Sequence, residues 1–165
     1  MKKSDFILIG VLLVVVIVAL FSTRGTEKVD IEYPVTLYGE AGLHETNYDG
    51  YRELVDSNEP FIFVIERKNC GYCQSYMPIL EEVVSEKKIS IYYIDTEAVD
   101  SEEVLKLESE NKYLKKHSDW GTPTTLFMRG ESIIDSIGGY VEKDRFLSFI
   151  DGRVVYGEQL WIVIS

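Results

Sequence analysis

Phe61–Glu66 (FIFVIE) is a near-continuous apolar run, the pattern of a central strand covered on both faces. After Arg67-Lys68-Asn69 comes Cys70-Gly71-Tyr72-Cys73, and beyond it Tyr72, Tyr76, Ile79, Leu80, Val83 and Val84 recur at helical spacing. A buried strand that passes into a helix at a cysteine pair constrains the chain more than any other feature. The sheet needs cover on both faces, and that commits the body to an α/β arrangement. Pro78 falls inside the helix and is expected to kink it.

The flanking segments extend this plan. Tyr48–Asp56 reads as a short helix ended by Ser57–Pro60, and Ile89–Asp95 (ISIYYID) as a second buried strand. Asp100 and Glu103 form a capping-box-like start for one helix running to about Lys116. Thr124–Met128 and Ser132–Ile137 are two strands joined by Arg129-Gly130-Glu131 as a hairpin, and Glu142–Ile150 closes as an amphipathic helix. The order β-α-β-α-β-β-α combines a crossover unit with a terminal hairpin, which implies a central mixed β-sheet flanked by helices. Residues 25–47 read as a linker and a first strand around Val35–Tyr38, and His44 falls in that linker. Residues 152–165 form a C-terminal extension whose Leu160–Ile164 (LWIVI) suits an added edge strand or a docking tail.

The cysteine pair carries the chemistry. A helix N-terminus presents unsatisfied N–H groups and a positive dipole end, which stabilise a thiolate on the first cysteine. Arg67 and Lys68 add positive potential, partly offset by Glu66. A thiolate attacks a disulfide sulfur, and a thiol three residues on resolves the mixed disulfide. Helical geometry leaves Cys73 the more buried, so Cys70 is assigned as nucleophile and Cys73 as resolving thiol. Competing readings are weaker. A disulfide between such near neighbours closes too short a loop to stabilise much, and a zinc half-site lacks a second cysteine pair.

These motifs resemble those of the thioredoxin superfamily. Cys70-Gly71-Tyr72-Cys73 is similar to its active-site motif, and Pro78 falls where its helix-kinking proline stands. Gly121-Thr122-Pro123-Thr124 resembles the segment carrying its cis-proline. The resemblance spans residues 48–151 and continues through Phe127–Glu131 and Gly138-Gly139. It implies a thioredoxin-like fold and a redox-active disulfide between Cys70 and Cys73 as the only redox group. It also implies a substrate surface made by Gly71, Tyr72, Thr122 and Pro123, with the Thr122 backbone pairing to an extended substrate chain. Metal ligands and further cofactors are not implied.

The chain departs from the family in places. Val64 and Ile91 stand where thioredoxins carry a buried Asp and its nearby Lys, the groups that deprotonate the buried thiol. Asn69 replaces the Trp before the first cysteine. The segment from Asp95 to Pro123 is longer than in plain thioredoxins, a candidate lid or partner surface in which Trp120 lines the substrate groove or packs under the loop. His117 reads as a solvated helix-end residue.

Phe6–Phe21 is sixteen residues without charge, about 24 Å as a helix, flanked by Lys2, Lys3 and Arg24. No A-x-A-like pair follows it, so residues 1–24 are expected to be an uncleaved single-pass anchor with its Lys2/Lys3 end cytoplasmic. Charge divides at this boundary. Residues 1–24 carry three cations against one acid, and the other 141 carry fourteen against twenty-seven, so a net −11 splits into +2 and −13. Such an acidic body excludes nucleic acid as partner.

Together these features predict a membrane-tethered, extracytoplasmic thiol–disulfide oxidoreductase, of bacterial type, acting on protein thiol and disulfide substrates. A strongly reducing pair would require a membrane or envelope electron partner. The size and anchor resemble the bacteriocin transport accessory proteins of Gram-positive bacteria, which raises an alternative: a non-enzymatic assembly or export factor that binds clients in the same groove. Cu(I) handling by the two thiolates is a third reading.

Overall fold

The computed structural model describes residues 31–157. The anchor expected over residues 1–24 and the LWIVI segment lie outside these. Among the described residues, no helix is long and apolar enough to cross a membrane.

Five strands form one mixed sheet. They are β1 (Gly42–Glu45), β2 (Pro60–Glu66), β3 (Ser90–Asp95), β4 (Thr124–Arg129) and β5 (Ser132–Gly138), in the spatial order β1-β3-β2-β4-β5. Parallel ladders join β1 to β3 and β3 to β2, while β4 runs antiparallel to β2 and β5 antiparallel to β4. The helices are α1 (Tyr48–Ser57), α2 (Gly71–Lys87), α3 (Ser101–Glu110), α4 (Lys112–Lys116) and α5 (Lys143–Ile150).

The period-two alternation of β2 divides the core. Ile62 and Val64 pack on one face with Tyr76, Leu80 and Val83 of α2 and Phe146 and Ile150 of α5. Phe61, Phe63 and Ile65 pack on the other with Tyr51, Leu54, Leu107 and Leu114, from α1, α3 and α4. All seven residues of β2 are buried, so the apolar run is a central strand covered on both faces. Each fully buried side chain of this size contributes about 1.5–3 kcal/mol.

The first strand, the place of His44 and the helix that starts at Asp100 are corrected. The first strand is Gly42–Glu45, not Val35–Tyr38. The Val35 N–H donates to the Arg153 carbonyl and the Tyr38 N–H to that of Pro60, and Val35 makes only an isolated bridge with Val154. The chain turns at Gly39, with φ +86°, and joins the sheet beside β3. A Cβ on Gly39 would also strike the Tyr92 hydroxyl, so this turn requires glycine. His44 consequently lies in β1 and stacks on Tyr92, with ring centroids 5.0 Å apart.

The helix expected from Asp100 to Lys116 is two helices. Asn111 leaves the helical conformation, with φ −67° and ψ 121°, and its side-chain oxygen accepts from the Tyr113 and Leu114 N–H groups to start α4. At the head of α3, Asp100 accepts from the Glu103 N–H, but the Glu103 carboxylate bonds the Tyr48 N–H instead of closing the box. In α2, Pro78 sits inside one continuous element.

Candidate active site: two thiols at a helix N-terminus

Parallel strand β2 delivers its C-terminal end directly into the N-terminus of α2. Between them, Arg67, Lys68 and Asn69 are exposed, and the loop is held by one acid that ends β3 and one just beyond it. Asp95 accepts from the Lys68 N–H at 3.2 Å, and Glu97 accepts from both the backbone and the side chain of Asn69, at 3.0 and 2.8 Å. Cys70 closes the loop by donating its N–H to the Arg67 carbonyl at 2.9 Å.

Cys70 is the N-cap of α2, and its sulfur accepts the Cys73 N–H at 3.3 Å. As a thiol it also donates to the Thr122 carbonyl at 3.3 Å. Both cysteines are free thiols, 8 % and 1 % exposed respectively. Burial pushes the Cys70 thiol up, but hydrogen bonds from Cys73, the Thr122 side chain and the Tyr72 backbone outweigh it and hold the group below its usual value. Burial raises Cys73 to about 11, and its hydrogen bond to Cys70 adds to the rise. The pair is polarised: one sulfur is poised as thiolate, the other is held as thiol.

The opposite wall is the segment before β4. The Thr122–Pro123 peptide bond is cis, with Thr122 half-buried and Pro123 buried. Gly71 faces open space, since a Cβ there would meet nothing within 4 Å. Tyr72 is 70 % exposed, with its ring 6.4 Å from that of Tyr140. Cys70, Cys73, Thr122 and Pro123 therefore lie together, with Gly71 and Tyr72 on the outer rim.

Other residues singled out from the sequence lie elsewhere. His117 caps α4 and stacks on Tyr113 at 4.2 Å, and Trp120 packs against the cluster beneath its loop. Among the described residues, no group of three or more His, Cys, Asp or Glu is placed to hold a metal ion.

Sequence reasoning passed over Asp95 and Glu97, and treated Glu66 only as an offset to nearby cations. Glu66 is 6 % exposed, and burial, with Asp95, Glu45 and Glu97 nearby, raises its carboxyl to about 7. The available signal was a charged residue ending an otherwise apolar strand.

Residues 50–152 match the family model of a thioredoxin-like domain. Among solved structures, the short form of thioredoxin f from spinach chloroplast is similar at 19% identity, over 73% of this chain and 96% of its own, with a TM-score of 0.52. A mutant thioredoxin from Halobacterium salinarum is 16% identical over 67% of this chain and 89% of its own, with a TM-score of 0.52. A chain from the complex of ferredoxin:thioredoxin reductase with thioredoxin f2 is 12% identical, over 68% and 94% of the two chains, with a TM-score of 0.53. At these identities the likeness is one of fold.

Proposed function

The chain belongs to the thioredoxin-like domain family, and from that premise we propose that it is a thiol–disulfide oxidoreductase acting on extracytoplasmic protein substrates through Cys70 and Cys73. The observation that carries this reading is the capped Cys70 sulfur, which accepts the Cys73 N–H while facing the Thr122 carbonyl. A thiolate held at a helix N-terminus is a nucleophile toward disulfide sulfur.

The chemistry follows in two exchanges. The Cys70 thiolate attacks a substrate disulfide, forming a Cys70–substrate bond and expelling the other substrate sulfur as thiolate. Cys73 then loses its proton and attacks Cys70, forming the Cys70–Cys73 disulfide and releasing the second substrate thiolate. Two electrons pass to the substrate. Run backwards, the same steps make the protein a disulfide donor, so the reduction potential of the pair sets the direction. The substrate chain docks extended along Thr122 and Pro123, beside Gly71 and Tyr72.

The apolar run Phe6–Phe21 and the division of charge at Arg24 support a membrane tether with the acidic domain outside the cytoplasm. Size and tether together favour the bacteriocin transport accessory type within the family. In the full chain, Cys73→Ala is expected to accumulate mixed disulfides on Cys70, visible on a diagonal gel. Absence of Cys70-dependent adducts would sink the enzymatic reading.

The exposed Tyr72 ring beside Tyr140 favours a second reading, a tethered export or assembly factor that binds clients without exchange. That reading predicts full biological activity for a Cys70→Ser/Cys73→Ser double variant.

A further inference from the structure

The peptide group that joins Lys68 to Asn69 comes just before Cys70, and side chains from two different parts of the chain take both of its poles. Its carbonyl oxygen accepts the Gln74 side-chain amide, from α2, at 3.0 Å. Its N–H donates to the Glu97 carboxylate, beyond the end of β3, at 3.0 Å. Glu97 also accepts the Asn69 side-chain amide at 2.8 Å, so one carboxylate holds that residue twice. The Gln74 bond spans the cysteine pair, since it ties a residue before Cys70 to the residue that follows Cys73.

Both grips rest on fixed supports. The Gln74 N–H donates to the Cys70 carbonyl at 3.0 Å, which anchors its backbone to the first turn of α2. The Glu97 N–H donates to the Asp95 carboxylate at 2.9 Å, and the same carboxylate oxygen accepts the Lys68 N–H at 3.2 Å. Between these acids, Thr96 gives both its N–H and its hydroxyl to the Glu66 carbonyl, each at 3.0 Å. With the Cys70 N–H on the Arg67 carbonyl, every N–H from Lys68 to Cys70 has a partner. An N-cap residue depends on such a hold, because its backbone leaves the helix while its side chain must still face the first-turn N–H groups. In Cys70 the capping atom is the sulfur that accepts the Cys73 N–H at 3.3 Å.

We propose that Gln74 and Glu97 are positioning residues for Cys70: by holding the two poles of the Lys68–Asn69 peptide, they keep the cap backbone aimed so that its sulfur meets the Cys73 N–H. The part this plays in catalysis rests on the oxidoreductase reading above. Without the grip, the sulfur spends part of its time away from the donors that stabilise its thiolate, and the thiolate fraction falls. Arg67 lies 3.8 Å from Glu97, and Glu97 bears in turn on the buried Glu66 carboxyl, so removing the Glu97 charge disturbs more than the grip. Gln74 carries no charge, and Gln74→Met removes only a donor.

The test follows alkylation of Cys70 by iodoacetamide against pH in the reduced full chain, with the site read by mass spectrometry. Beside it, stopped flow records capture of an aromatic disulfide whose released half is a chromogenic thiolate. Gln74→Met should move the Cys70 midpoint up, lowering the thiolate fraction at pH values below it about threefold. Glu97→Ala should move it up as well. Glu97→Gln loses the same charge but keeps an oxygen able to accept the Asn69 N–H, so it should restore part of the wild-type value. In the double variant Gln74→Met/Glu97→Ala, the loss should be smaller than the product of the single losses, because both changes free one peptide. A wild-type midpoint in Gln74→Met, equal midpoints in Glu97→Ala and Glu97→Gln, or a full product in the double variant overturns the positioning role alone. A wild type whose Cys70 alkylates with a lowered midpoint yet never captures the disulfide removes the oxidoreductase reading, and the catalytic part of the proposal with it.

Discussion

The amide nitrogen of Cys73 lies 3.3 Å from the sulfur of Cys70, so the second cysteine caps the first through its backbone while its own thiol stays inside. One turn of helix thus contains two sulfurs in opposite environments. Cys70 meets N–H donors at the positive end of α2, and Cys73 meets a desolvated pocket. Polarity between the two thiols comes from their position on the helix, so the dipeptide between them need not supply it.

That polarity is directly measurable. Iodoacetamide should alkylate Cys70 with an apparent pKa below that of an ordinary thiol, whereas Cys73 should resist until the pH approaches 11. Mass spectrometry of labelled peptides across pH reads both sites at once. Equal reactivity of the two cysteines at neutral pH would contradict the assignment of nucleophile and resolving thiol.

Gly71 separates folding from docking. Its missing side chain faces open space, so Gly71→Ala should leave stability unchanged or raise it by up to about 1 kcal/mol, by restricting the unfolded chain. A methyl on the proposed docking rim should nevertheless slow capture of a protein disulfide several-fold, with little effect on a small aromatic disulfide. Stopped-flow measurement of both substrates separates the two effects. Equal slowing of both would place the methyl's effect on the sulfur instead of on docking.

Much of this arrangement was legible because burial leaves a plain trace. Phe61–Glu66 had to be central because it has no polar face, and the cysteine pair had to stand at the strand-to-helix junction because helical spacing begins there. What escaped was decided by contacts distant in sequence. Gly42–Glu45 carries only Leu43 as a large apolar side chain and becomes a strand through its pairing with β3. Val35 resembles a strand residue, yet its partners are Arg153, Val154 and Val155. Glu66 looks like the polar end of a strand, and burial in the fold, with Asp95, Glu45 and Glu97 brought near it, perturbs its carboxyl.

The raised Glu66 carboxyl carries a stability cost with a defined pH window. Its folded value is about 7 against an ordinary 4.5, so between those values the folded chain binds more protons than the unfolded one. The associated stability is fully present below about pH 4.5 and is lost as pH rises through about 7. Glu66→Gln removes this dependence. The variant should gain about 2 kcal/mol relative to the wild type at pH 8 compared with pH 5. Urea unfolding at the two pH values checks it, and an equal difference at both would show that the carboxyl titrates normally.

Asn111 joins α3 and α4, two of the three helices that cover one face of the sheet. It is fully buried, its oxygen caps α4 through the Tyr113 and Leu114 N–H groups, and its nitrogen donates to the Tyr51 hydroxyl at 3.1 Å. Asn111→Ala removes the cap, worth about 1 kcal/mol, and leaves a buried hydroxyl without its donor, at about 1–3 kcal/mol. The expected loss is therefore about 2–4 kcal/mol. Tyr51→Phe alone should cost about 1 kcal/mol, but added to Asn111→Ala it should cost less than that, because the orphaned hydroxyl disappears with it. A double-mutant cycle by urea unfolding reads this coupling. Strict additivity would mean that the Asn111–Tyr51 bond contributes nothing, and that the cap alone explains why the chain breaks into two helices at this residue.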